Sequence, residues 1–201
     1  MARSSFFEEL VSRIQILETK FLTKQLADET ENPLTFNPDP ESLAAFRMLA
    51  HAEIEDYLER KARNSLEAIE RDFTGSSMAR PTMQLYALAN HFKIFLPHEC
   101  PFDTAQYQKS VQLVIEASRK FLSDNNGIKA TTFVTVCVII GINILDLDSA
   151  LAAKLNSYGE ARGQVAHKGT KRVTGILAPS VERNNVLEIL RALEEFFYSG
   201  V

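Results

Sequence analysis

Apolar residues in this chain return at three- and four-residue steps along almost its whole length, the spacing that lines one face of an α-helix. One stretch departs from the rule: ten of the fourteen residues from Thr131 to Ile144 are β-branched, which by propensity alone reads as a buried strand. A lone strand leaves its backbone N–H and C=O groups unsatisfied, and no second strand-like run exists to pair with it. A short buried helix ending near Gly141 is therefore predicted. The chain is also poor in turn residues, with 8 Gly and 7 Pro in 201 positions, where average usage gives roughly 14 and 10. Few, long elements follow, and a sandwich or barrel with a turn every few residues is disfavoured.

The periodicity predicts a helix from Ser4 to about Ala27, with Phe6, Phe7, Leu10, Val11, Ile14, Leu17, Phe21 and Leu22 on its apolar stripe. Pro38-Asp39-Pro40 then supplies a cap and a first-turn proline for a long helix from about Glu41 to Arg71. Leu43, Phe46, Leu49, Ala50, Ile54, Tyr57, Leu58, Leu66 and Ile69 are expected inward on it. Pro81 opens a helix that runs through Phe92 and Phe95 and stops before Pro97, and another spans Thr104 to about Leu122. Asp148 caps a helix to Lys168, closed by Gly169, and the last helix runs from about Ser180 to Tyr198. No repeat or long linker divides the chain. The predicted architecture is all-α, a single-domain bundle of six to seven helices over residues 1–201. Residues 1–40 form an N-terminal helix and linker, and 41–201 form the core.

A formal net charge of −4 means that the protein as a whole does not attract polyanions, so any nucleic-acid contact must come from a local patch. Cys100 and Cys137 are too few for a disulfide scaffold, and the N-terminus turns acidic and amphipathic without the apolar run of a signal peptide, so a reducing, cytoplasmic setting is expected. Phe133 to Ile142, the most apolar run, is too short to span a bilayer, and no membrane partner is expected. Neither a Gly-rich phosphate loop nor an HExxH or GxSxG motif occurs, and His91, His98, Glu99 and Cys100 match no zinc spacing, so no cofactor or metal is expected.

His51 lies four residues before Glu55, a spacing that orients an imidazole against a carboxylate or simply satisfies a helix histidine. The more informative segment runs from Glu160 to Arg172, where Arg162, Lys168, Lys171 and Arg172 outweigh the single acid Glu160. Arg162 offers a planar fork for phosphate oxygens, and His167 is the side-chain type suited to proton exchange near neutral pH. Five residues along a helix turn about 500°, leaving the two about 140° apart around the axis and about 7.5 Å apart along it. A long side chain, a frayed helix end or a second copy of the chain is then needed to gather both around one phosphate. Glu160, Gln164, His167 and Lys171 share a stripe, which makes Glu160 or Gln164 a candidate to orient His167. Lys168, Lys171 and Arg172 are candidate RNA contacts. The same residues have a plainer reading, in which the cations complement a helix C-terminus and Arg162 tethers a carboxylate.

Arg162-Gly163-Gln164-Val165-Ala166-His167, in a helix near the end of an all-helical chain, resembles the HEPN superfamily (higher eukaryotes and prokaryotes nucleotide-binding domain) and its Arg-Gly-x-x-Ala-His subgroup. Leu49-Ala50-His51-Ala52-Glu53-Ile54-Glu55 also resembles the early helix of that subgroup. The resemblance implies a metal-independent endoribonuclease, a toxin or defence effector with an RNA substrate and an antitoxin protein, acting as a homodimer whose two motifs face one cleft. It implies His167 and Arg162 as catalytic residues, the first moving a proton and the second stabilising phosphorane charge. Other members bind RNA or protein without cutting. Many active members carry a polar residue after the arginine, where this chain has Gly163.

Overall fold

The computed structural model describes residues 3–74, 83–97, 104–168 and 178–198; the side chains of Thr74, His167 and Lys168 lie outside that description. All regular elements among these residues are helical: α1 (Ser5–Phe21), α2 (Thr23–Glu31), α3 (Pro40–Thr74), α4 (Met83–His91), α5 (Thr104–Asp124), α6 (Ala130–Ile140), α7 (Ser149–Lys168) and α8 (Pro179–Tyr198). A single 3-10 turn covers Ile144–Asp146. The chain divides into two compact units. The first comprises residues 1–57, 127–130 and 148–201, and the second comprises 58–126 and 131–147.

In the first unit, α1, α2, the start of α3, α7 and α8 enclose a core that includes Phe7, Ile14, Phe46, Ile54, Leu155 and Leu193. The first predicted helix is two, which brings the α-helix count among the described residues to eight rather than six or seven. The break falls at Leu22, which is fully buried with φ −112° and ψ −31°. Turning there lets α2 reach α8, where Glu29 accepts hydrogen bonds from the Ser180 N–H (3.0 Å) and the Ser180 hydroxyl (2.8 Å). The first N–H groups of a helix lack intrahelical acceptors, so a carboxylate there satisfies them and complements the dipole. Pro179 occupies the first turn of α8, where its missing N–H costs nothing.

The second unit is built from the rest of α3 with α4, α5 and α6, around Leu66, Leu88, Tyr107, Val111, Phe133 and Ile139. The β-branched segment is a helix, as predicted, because burial of Phe133 and Val136 through Ile139 outweighs a modest propensity cost. It ends at Gly141, whose φ of +92° is favourable only for glycine, with the Ile142 N–H returning to the Cys137 carbonyl at 2.9 Å. Gln84 donates to the Ile139 carbonyl at 2.7 Å and so satisfies another acceptor of that end.

Two further sequence expectations differ from the structure. Leu49 is 42% exposed, because the inward stripe of α3 passes through Phe46, Arg47, Ala50, His51 and Ile54 instead. Helix α4 stops at His91 rather than running to Phe95, which is 61% exposed. The stop is a left-handed turn at Lys93 (φ +57°), with the Ile94 N–H bonded to the Ala89 carbonyl at 2.8 Å.

Candidate functional site

Helix α7 carries the candidate residues. It starts under Asp148, whose carboxylate accepts the N–H groups of Ala150 (2.8 Å) and Leu151 (3.0 Å). Leu151, Leu155, Tyr158 and Val165 are buried, the stripe the sequence predicts. Arg162 borders that stripe and is half-buried. Its Nε is shielded from solvent and has no hydrogen-bond partner. Among the described residues Arg162 forms no hydrogen bond or ion pair, so the carboxylate tether of the plainer reading is not made there.

Glu160 is exposed and accepts a hydrogen bond from Asn156 at 2.8 Å, and Gln164 is exposed. His167 and Lys168 form the end of α7, and their side chains, like all of Lys171 and Arg172, lie outside the described residues. Gly163 faces open space, with nothing within 4 Å of where a Cβ would stand.

Gly159 differs. A methyl group there would lie 2.5 Å from the Ile128 carbonyl oxygen, so glycine is what lets α7 touch the 127–130 segment. The same approach admits His51, which is 1% exposed. Its Nε2 sits 3.5 Å from the Ile128 N–H, its Nδ1 lies 3.6 Å from Glu55 Oε2, and its ring stacks over Tyr158 with centroids 6.1 Å apart. Glu55 in turn accepts the Gly127 N–H. Burial first, and then the Arg162 charge, push the His51 pKa down to about 4, so the ring is neutral near pH 7 and its approach to Glu55 is not an ion pair.

The linkage has a definite sign. The unfolded chain binds a proton at His51 near pH 6.5 and the folded chain only near 4, so stability is lost as pH falls through that window. A loss on the order of 3 kcal/mol is expected from this group. Urea midpoints measured from pH 7 to 4 check it: the wild-type slope should flatten in His51→Gln.

A feature the sequence reading missed lies beneath α7. Arg47 and Glu182, 3% and 1% exposed, form a buried ion pair across α3 and α8, with the Arg47 Nε donating to Glu182 Oε2 at 3.1 Å. The Tyr158 hydroxyl donates to the Arg47 carbonyl at 3.3 Å. Above the pair opens a cleft of about 420 Å³ lined by Lys154, Ser157, Asn185 and Glu188, and Arg162 is not part of its wall. The signal in the sequence was Arg47 standing four residues after Leu43 on the apolar stripe. In the second unit, His91 Nε2 lies 3.0 Å from the Thr135 hydroxyl.

No described helix is long and apolar enough to cross a membrane. Compared with known protein families, curated proteins and solved structures, the chain finds no match.

Proposed function

We propose that this protein is a metal-independent endoribonuclease of the HEPN kind. The observation that carries the reading is Arg162, a half-buried cation with its Nε shielded and no partner among the described residues, five residues before His167 at the end of α7. An unpaired guanidinium in a partly dry setting is suited to a phosphate, and the local excess of Lys168, Lys171 and Arg172 favours RNA. His167 takes the proton of the attacking 2′-OH or returns one to the departing 5′-oxygen. Arg162 stabilises the charge of the pentacoordinate phosphorus. The 2′-oxygen bond to phosphorus forms as the 5′-oxygen bond breaks, leaving a 2′,3′-cyclic phosphate. A homodimer supplies a second motif to the same cleft, the setting is cytoplasmic, and an antitoxin protein restrains the activity.

A second reading, a non-catalytic module that binds RNA or protein, is favoured by Gly163, which puts no side chain beside Arg162. Incubating the protein with total RNA in excess EDTA separates the two. Wild type is expected to cut, with Arg162→Ala and His167→Ala of matched folding slower by at least about 100-fold. RNA retained but uncut by wild type establishes the second reading instead.

A further inference from the structure

The carboxylates described on and around α7 have other partners. Glu160 accepts from Asn156, Glu188 from Lys154, Glu182 from Arg47, and Glu55 from the Gly127 N–H. Arg162 is left without one among the described residues. Taking water from a cation without giving it a counter-charge is costly, so this arrangement favours an anion that arrives from outside the chain.

The imidazole packed against this stripe of α7 is that of His51 on α3. It packs at Tyr158 and Gly159, the positions four and three residues before Arg162 and so on the same stripe. A carboxylate or a lysine at position 51 would bring a charge to that stripe; a neutral imidazole brings none.

We propose that His51 is a positioning residue for Arg162: its ring, fixed by the Ile128 N–H and seated against α7 at Tyr158 and Gly159, holds in place the stripe of α7 from which the guanidinium meets its anion. The proposal rests on the reading of Arg162 as a phosphate-binding residue. His51 exchanges no proton with substrate. The charged and titratable groups around the ring are Glu55 on α3 and Tyr158 and Arg162 on α7, while the 127–130 segment meets it with backbone. The low proton affinity of the ring, caused by burial and then by Arg162, agrees with this role.

The test uses the full chain with isotope-labelled histidine, titrated in pH with and without inorganic phosphate while the His51 ring resonances are followed. An anion on Arg162 offsets the charge that lowers His51, so its apparent pKa should rise by roughly half a unit. The rise should be absent in Arg162→Gln. At matched folding, His51→Leu should weaken phosphate binding and slow RNA cleavage by about ten-fold. His51→Gln, whose amide oxygen can accept the Ile128 N–H, should recover most of both. Resonances of His51 that ignore phosphate, or phosphate binding by His51→Leu equal to that of wild type, overturn the proposal. A normal phosphate response in a protein that cuts no RNA removes the nuclease reading alone. Cleavage that depends on Arg162 and His167 yet is unchanged in His51→Leu removes the positioning role alone.

Discussion

Glu182→Gln is expected to lower stability by about 3 to 5 kcal/mol. The carboxylate it removes is 1% exposed and faces a guanidinium that is 3% exposed, so the change leaves Arg47 as a buried charge without its counter-charge. Attraction inside the protein does little more than offset the desolvation of both groups, and the loss comes mostly from stranding one of them. The double variant Arg47→Met, Glu182→Leu is therefore expected to be much closer to wild type than either single change. Urea unfolding of the three variants checks both statements. Additive losses in the double variant would mean that the pair holds the fold together by attraction rather than by mutual neutralisation.

Gly159→Ala should cost about 3 kcal/mol, because overpacking against backbone cannot be relieved by a rotamer change. The added methyl meets the Ile128 carbonyl oxygen at 2.5 Å, and His51 Nε2 lies 3.4 Å away on the same side. Gly163→Ala, one turn later on the same helix, meets nothing within 4 Å. It should stabilise the protein by about 0.5 to 1 kcal/mol, since alanine loses less backbone entropy than glycine on entering a helix. Thermal or urea melts of the two variants read the contrast directly. Equal melting points would show that the 127–130 segment yields to α7.

Both substitutions bear on what the sequence alone discloses. The stripe of Leu151, Leu155, Tyr158 and Val165 and the cap at Asp148 were legible because helical spacing and capping chemistry are local. So was the end of α6 at Gly141, a residue with freedom at positive φ. The stop of α4 was not, since Lys93 adopts a left-handed conformation without the glycine that would announce it. Two glycines of α7 look alike in sequence, yet one makes room for a distant carbonyl and the other faces open space. Contacts across long separations, such as Glu29 on Ser180 at 151 residues and Arg47 on Glu182 at 135, leave no local trace. At the candidate site the sequence marked Arg162 and noted the spacing of His51 and Glu55. Fold geometry was needed to bring His51 against Tyr158 and Gly159, beside Arg162 on the stripe of α7.

The order of segments in the first unit has a consequence for synthesis. Residues 1–57 belong with 148–201, and all of the second unit is encoded between them, together with the 127–130 segment of the first. On the ribosome, the apolar faces of α1 and of the start of α3 emerge well before α7 and α8 exist to cover them. The second unit has its whole complement of helices out of the exit tunnel first and is free to fold as a unit. The nascent chain thus spends the translation time of about 90 residues with Phe7, Ile14, Phe46 and Ile54 awaiting their partners, a period in which a holding chaperone has an apolar surface to bind.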